Sequence, residues 1–152
     1  MKYNKHTLVN QMKLMLDSRS VNESFARATV SAFAAQLDPT VEELTDIKTA
    51  VSEAVTNAIV HAYPDSTGKI TIWAGIYQDG FVRVLVKDQG RGIEDIKLAR
   101  QPLYSSLGDE RAGLGFAVME SFMDNLRVRS SPGKGTTITM GKLIKGKNNH
   151  GN

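Results

Sequence analysis

The sequence predicts a two-layer α/β (α+β) sandwich, in which a mixed, mostly antiparallel sheet is covered by helices on one face. Three observations carry this expectation. Two amphipathic helical patterns with start signals come first, two pairs of alternating apolar runs joined by tight turns come later, and one further helical pattern separates those pairs. Hairpin-joined strands pair antiparallel, whereas a doubly wound parallel sheet needs a crossover between strands.

Residues 1–11 read as a flexible leader, and MKLML (12–16) then alternates Met12, Leu14 and Leu16 as a strand does. Ser20, with Glu23 three residues on, makes a capping-box pattern before Phe25, Thr29, Ala32, Phe33 and Leu37 at helical spacing. Asp38-Pro39 ends that helix. Thr40 and Glu43 repeat the box ahead of Val41, Leu44, Ile47, Val51, Ala54, Val55, Ala58 and Ile59. This predicts a second helix of about six turns, closing at Tyr63-Pro64.

KITIWAGIY and FVRVLVKD alternate with period two around Gln78-Asp79-Gly80, and Asp-Gly between such runs is a strong hairpin signal. Residues 93–112 have weak periodicity and read as a mobile segment. Gly113-Leu114-Gly115 is expected to open a helix that carries Phe116, Met119, Phe122, Met123 and Leu126 on one face. LRVRS and TTITMGKLI flank Pro132-Gly133 as a second hairpin, and residues from 145 onward form a polar tail expected to be flexible.

A chain of 152 residues suits a single domain, taken as 1–152. The formal charge of +3 invites a nucleic-acid reading, but five lysines near the ends (Lys2, Lys5, Lys142, Lys145, Lys147) account for the excess. The remaining 14 basic side chains face 16 acidic ones, so the body is slightly acidic and direct nucleic-acid binding is not expected. No run approaches the ~20 apolar residues of a membrane span. Without a secretory leader or any cysteine, the expected location is the cytoplasm. His6, His61 and His150 are scattered, which argues against structural zinc, and neither a P-loop nor a nucleophile elbow is present.

Four short motifs remain, in a fixed order. In Glu53-Ala-Val-Thr-Asn57 the spacing of four puts a carboxylate and an amide on one helix face, with His61 continuing the row. A carboxylate there can act as a base and an amide oxygen can ligate Mg²⁺, although a solvated helix edge has the same pattern. Asp88-Gln-Gly90-Arg-Gly92 follows a strand. It reads as a turn, or as a carboxylate accepting from an adenine amino group with glycines admitting the base. Gly113-Leu-Gly115, with Arg111 upstream, can aim N–H groups at an anion or simply join loop to helix. Gly133-Lys-Gly135-Thr136 is either a hairpin turn or a source of a hydroxyl near the base.

Taken together and in this order, the motifs resemble the ExxxN, DxGxG, GxG and GT boxes of the GHKL ATPase family. Phrases such as NESFARATVSAFAAQLDPT, EELTDIKTAVSEAVTNAI, ARQPLY and GLGFAVMESFMD are similar to the sporulation anti-sigma serine kinases of that family, over about residues 12–144. The resemblance implies the GHKL fold, binding of ATP/ADP with Mg²⁺, and a homodimer. It further implies inhibition of sigma factor F and phosphorylation of a serine of an anti-anti-sigma factor.

By the same resemblance Glu53 is the general base and Asn57 the Mg²⁺ ligand. Asp88 holds adenine, Gly90 and Gly92 shape its pocket, Gly113 and Gly115 wrap the phosphates, and Thr136 completes the adenine site through water. Arg111 sits on a lid, about residues 99–113, near the γ-phosphate, and Arg27 meets protein partners. The lid reads YSSLGDERAG where relatives often carry Thr-Thr-Lys or Ser-Lys. A kinase acting on a stress-response sigma factor, or a non-catalytic ATP-binding module that only holds a partner, fits the same four boxes.

Overall fold

The computed structural model describes residues 7–100 and 111–147. Its strands run β1 (Leu8–Asp17), β2 (Lys69–Tyr77), β3 (Phe81–Asp88), β4 (Asn125–Ser131) and β5 (Gly135–Leu143). They form a five-stranded sheet in the order β1-β2-β3-β5-β4, and each of its four pairings is antiparallel. The mostly antiparallel expectation therefore holds, and no parallel pair among these strands makes the sheet mixed. The helices are α1 (Asn22–Ala34), α2 (Val41–Asn57), the short α3 (Ile96–Ala99) and α4 (Arg111–Phe122).

Alternation in the strands decides which face is covered. Ile70, Ile72 and Ala74 of β2, Val82, Val84 and Val86 of β3, and Ile138 and Met140 of β5 are buried. They meet Val30 of α1, Ile47, Val51 and Val55 of α2, and Met119 of α4 in one apolar cluster. At roughly 25 cal/mol per Å² of apolar surface removed from water, this contact is what holds helix to sheet. α2 lies centrally, packed against both α1 and α4, so whatever sits on its edge is held rigidly.

Several expectations are corrected. β1 begins at Leu8 rather than after a leader, because residues 8–17 pair with β2 through backbone bonds although Leu8 and Val9 are exposed. Residues 1–6 lie outside the described residues. The Ser20–Glu23 box does not form: the position before α1 has no side-chain cap, and Glu23 instead accepts from Ser52 Oγ at 2.6 Å and pairs with Arg27 at 3.7 Å. The buried positions of α1 are Ala26, Val30, Ser31 and Ala34, while Phe25 is half exposed. A competing partner on α2 turns the acid away from the helix end.

The Thr40–Glu43 box forms in both directions, at 2.9 and 3.1 Å. Glu43 also accepts from the N–H groups of Lys145 and Gly146, so residues 145–147 are tied down rather than loose; residues 148–152 lie outside the described part. Partial burial pulls the Glu43 carboxyl up, but hydrogen bonds from Thr40 and from the N–H groups of Lys145 and Gly146 together outweigh it and leave the carboxyl below its ordinary value. α2 does not run regularly to Tyr63, because a π-helical turn occupies Ala58–Ala62. Within 93–112, read as mobile, residues 96–99 form a capped turn of helix with Ala99 in the core.

Candidate functional site

The widened turn at the end of α2 organises the site. Extra-wide helical turns cost regular hydrogen bonding and recur at functional positions. Here the turn begins immediately after Asn57 and ends at Ala62, whose carbonyl accepts from Arg91 N–H at 3.1 Å. A β-carbon at Gly90 would lie 2.3 Å from that carbonyl oxygen, so only glycine lets the loop after β3 come this close. The second motif is thereby fastened to the element that carries the first.

Asp88, at the end of β3, is buried to 6% exposure and accepts at Oδ1 from Gly90 N–H at 2.9 Å and from Thr136 N–H at 3.2 Å. Burial raises its carboxyl above the ordinary value of 3.8, and the two N–H groups oppose the rise. Gly135, just before Thr136, has φ of 96°, and a β-carbon there would lie 2.2 Å from Asp88 O. Gly92 has φ of 76°, and a β-carbon there would meet Ser131 O at 2.1 Å. These glycines are required both by the left-handed backbone and by close approach. The structure thus brings Asp88, Gly90, Gly92 and Thr136 together.

At the other end, Glu53 and Asn57 lie one turn apart on α2 and face α4 at Gly115. A β-carbon on Gly115 would lie 3.2 Å from Glu53 Oε1 and 3.4 Å from Asn57 Oδ1. The glycine keeps open a space lined by oxygen and amide groups. Asn57 Nδ2 is buried there with no hydrogen-bond partner among the described residues. An orphaned buried amide costs about 1–3 kcal/mol, a cost that a ligand can remove. Rotating the amide by half a turn presents its oxygen instead.

No group of three or more His, Cys, Asp or Glu side chains among the described residues could hold a metal alone. Glu53 and Asn57 do fit Mg²⁺, which binds through one or two protein oxygens and completes its shell with phosphate and water. Asn57 would hold it, beside the space left by Gly115.

Gly113 and Gly115 do not precede a helix as expected. They are the third and fifth residues of α4, which starts at Arg111, so Gly113 lies in the first turn, whose N–H groups have no partner within the helix, and Gly115 serves by its lack of a side chain. The Arg111 side chain and lid residues 101–110 lie outside the described part. His61 falls within the wide turn, so the regular row from Glu53 stops at Asn57. Arg27, half exposed on α1, lines an open groove of about 930 Å³ between α1 and α2 that also takes in Phe25, Lys48, Ser52 and Glu53.

The chain matches the family of histidine kinase-like ATPase domains over residues 16–142. It is 59% identical over 136 residues to an anti-sigma F factor of Caldanaerobacter subterraneus subsp. tengcongensis, covering 89% of this chain and 94% of the relative. The chain belongs to the anti-sigma F factor family. A Clostridium acetobutylicum anti-sigma F factor is 55% identical over the same shares of this chain and of itself, and one from Pasteuria penetrans is 52% identical over 92% of this chain and 95% of its own. Among solved structures, the RsbU and RsbW domains of a Mycobacterium tuberculosis protein align at TM-score 0.66 and 25% identity, over 90% of this chain and 33% of that one. A histidine kinase domain from Erythrobacter litoralis shares the fold at TM-score 0.56 and 20% identity, over 81% of this chain and 61% of its own. Both ends of the site described above lie within the histidine kinase-like ATPase domain of this chain.

Two residues that motif reasoning passed over help to build the end around Asp88. Tyr63 Oη donates to Lys69 O at 2.8 Å and accepts from Gln89 N–H at 2.7 Å, tying the start of β2 to the residue after Asp88. Gly68 makes room for its ring. Ser130 Oγ accepts from Ile93 N–H at 2.7 Å and lies 2.7 Å from Thr136 Oγ1. The one sequence signal for Tyr63 is its place before Pro64, and Ser130 has none beyond lying before the Pro132-Gly133 turn.

Proposed function

We propose that the chain is an anti-sigma factor that is also an ATP-dependent protein serine kinase. It binds sigma factor F to block transcription and transfers the γ-phosphoryl group of ATP to a serine of the anti-anti-sigma factor. The observation that carries this reading is Glu53 set beside the buried Asn57 amide, which has no partner among the described residues, with both facing Gly115. A non-catalytic ATP-binding module would also have a use for the Asn57 amide, but none for a carboxylate kept beside it.

Asp88 and Thr136 hold the adenine, Gly90 and Gly92 admit it, and Gly113 with Gly115 make room for the phosphates. Mg²⁺, when bound, neutralises charge on the transferring phosphoryl group. Glu53 takes the proton of the substrate serine hydroxyl as its oxygen bonds to phosphorus, and ADP leaves with the bridging oxygen. Held by α2, Glu53 contributes through position, and so does Arg111 if it reaches the γ-phosphate. The groove between α1 and α2 reaches Glu53 from the side of Arg27, which meets the protein partners. The whole chain, 1–152, acts as one domain in a cytoplasmic homodimer. No helix among the described residues is long and apolar enough to cross a membrane.

Transfer of labelled γ-phosphate from Mg-ATP to the anti-anti-sigma serine tests the reading, with Glu53→Gln run beside the natural protein. Loss of a general base lowers the rate by about 10²–10⁴-fold, and ATP binding should persist. Transfer that survives in the variant removes Glu53 from the role of base. Absence of transfer with both proteins, though ATP binds, favours the holding module.

A further inference from the structure

All four helices add to the apolar cluster on one face of the sheet. Across the other face the strand register lines up three successive rows of side chains. One row holds Lys87 and Arg129, the next Lys13, Trp73 and Arg127, and the third Arg83. No carboxylate stands in these rows. Lys13, Lys87, Arg127 and Arg129 are exposed, and none has an ion-pair partner among the described residues. Arg27, Arg100, Lys142 and Lys147, by contrast, each have a carboxylate within 3.7 Å. Asp17, at a corner of the face, is paired with Lys69. Glu23, Glu42, Glu43, Asp46, Glu53 and Glu120 all belong to the helical layer. A charge count over the whole chain gives a slightly acidic body and hides this separation.

We infer that the open face of the sheet binds single-stranded nucleic acid, with Trp73 stacking on a base and Lys13, Lys87, Arg127 and Arg129 meeting phosphates. Lys13 and Arg127 lie on opposite edge strands, four strand spacings or roughly 19 Å apart. Charge spread so widely suits an extended polyanion rather than a small ion. Trp73 favours a nucleic acid over an acidic peptide. Its Nε1 donates to Gln11 Oε1 at 2.8 Å, and a β-carbon on Gly75 would lie 2.3 Å from its ring. Glycine therefore lets the indole lean low over the sheet, towards the row that holds Arg83, which is itself anchored over the Tyr77 and Phe81 rings at 5.2 and 5.5 Å. An aromatic ring among cations takes a base and its flanking phosphates without regard to sequence. A carboxylate-rich peptide needs the cations but not the ring, a duplex hides its base faces, and a second copy packed about a two-fold axis sets cation against cation. The face lies across the sheet from Glu53 and Asn57, so the inference does not depend on how the nucleotide site is read.

Trp73 is the only tryptophan in the chain, so its emission reports on this face alone. The full chain is titrated with uridine-only RNA and thymidine-only DNA of about twelve nucleotides, with a duplex of the same length and polyglutamate beside them. Either single strand should quench Trp73, and the ratio of the two says whether the 2′-hydroxyl is read. Log affinity should fall with log salt by about 0.7 per phosphate contact, and Arg127→Gln with Arg129→Gln should reduce that slope by about 1.4. Trp73→Leu, followed by anisotropy of a labelled strand, should weaken binding about tenfold and leave the slope unchanged. Lys145→Gln with Lys147→Gln should alter neither.

No quenching by either strand at about 50 mM salt overturns the inference. So does binding of polyglutamate or duplex equal to that of the single strands with no loss in Trp73→Leu, which marks a surface for any acidic partner. Binding that is lost in Lys145→Gln with Lys147→Gln but kept in the sheet variants assigns it to the end of the chain instead. If the sheet variants change the oligomeric state and no strand binds, the face belongs to a second copy and the inference falls. Should Trp73→Leu not fold, the salt slope of Arg127→Gln with Arg129→Gln decides alone, because both positions are exposed and tolerate substitution; an unchanged slope there is equally contrary.

Discussion

At the proposed base end of the site, Asp88, Thr136, Ser130, Gly90 and Tyr63 all take part in hydrogen bonds or backbone contacts within the protein. At the proposed phosphate end, α2 closes on Asn57, whose buried amide nitrogen has no hydrogen-bond partner among the described residues. Both ends need glycines, for different reasons. Gly92 and Gly135 let backbone meet backbone, while Gly115 holds side-chain oxygens away from a helix so that something else can enter. On the proposed reading, one end is finished before a ligand arrives and the other is completed by it; pre-organisation would make the base end selective, and deferred satisfaction would make the phosphate end responsive to what it binds.

The largest expected effect comes from breaking the finished end. Gly135→Ala forces a β-carbon to within 2.2 Å of Asp88 O at φ 96°, and should cost about 3 kcal/mol or more of unfolding free energy in urea. Gly133→Ala is the control, because that glycine has φ of 76° but nothing within 4 Å, and should cost only about 1 kcal/mol. Equal losses at the two positions would mean that backbone conformation alone, and not close approach, shapes the base end.

Gly115→Ala should act in the opposite manner. Alanine favours an interior helical position by about 1 kcal/mol over glycine, and the contact it meets, 3.2 Å from Glu53 Oε1, is with a movable carboxylate. Stability without ligand should hold or rise slightly, while Mg-ATP affinity drops about tenfold, of the order of one misplaced charge-assisted contact. Weaker folding with unchanged ATP binding would show that Gly115 serves packing alone.

A smaller effect is expected from Asp88→Asn in the absence of ligand. Because burial raises the folded pKa of Asp88 above 3.8, the ionised carboxylate costs stability above that folded value, and the cost fades as pH falls through it towards 3.8. The amide should therefore stabilise the ligand-free protein modestly at neutral pH, with a gain that shrinks in acid. A gain that grows as pH falls would reverse the sign assigned to the burial effect.

The contrast between the two ends also explains what could be read from sequence. The finished hairpins announce themselves: Asp79-Gly80 turns between runs whose alternation matches the observed register, and Thr40 with Glu43 makes the cap that its spacing predicts. Asp88, Gly90, Gly92 and Thr136 do converge, because each carries a local signature of a turn or strand end. Ser130 and Tyr63 have no such signature; each acts through partners 37 and 26 residues away, and spacing within one element is silent on that.

The same reason accounts for the misread parts. Glu23 sits three residues after Ser20 as a cap should, yet Ser52 on the neighbouring helix claims it. The wide turn at Ala58–Ala62 interrupts a sequence that reads as regular helix; its last carbonyl is held from outside by the loop at Arg91. Gly113-Leu114-Gly115 suggested a helix start because glycine is a poor interior residue, and the helix accepts that cost where it faces Glu53 and Asn57.

Asn57→Leu, measured for unfolding free energy with and without Mg-ATP, tests the unfinished phosphate end most directly. Removing an unpaired buried amide in favour of an apolar side chain of similar volume should leave the ligand-free protein as stable as before or more so, while the stabilisation conferred by Mg-ATP disappears. A ligand-free protein weakened by more than about 1.5 kcal/mol, the worth of a satisfied hydrogen bond, with Mg-ATP stabilisation intact, would show that the amide already serves the fold and that the phosphate end is no less finished than the base end.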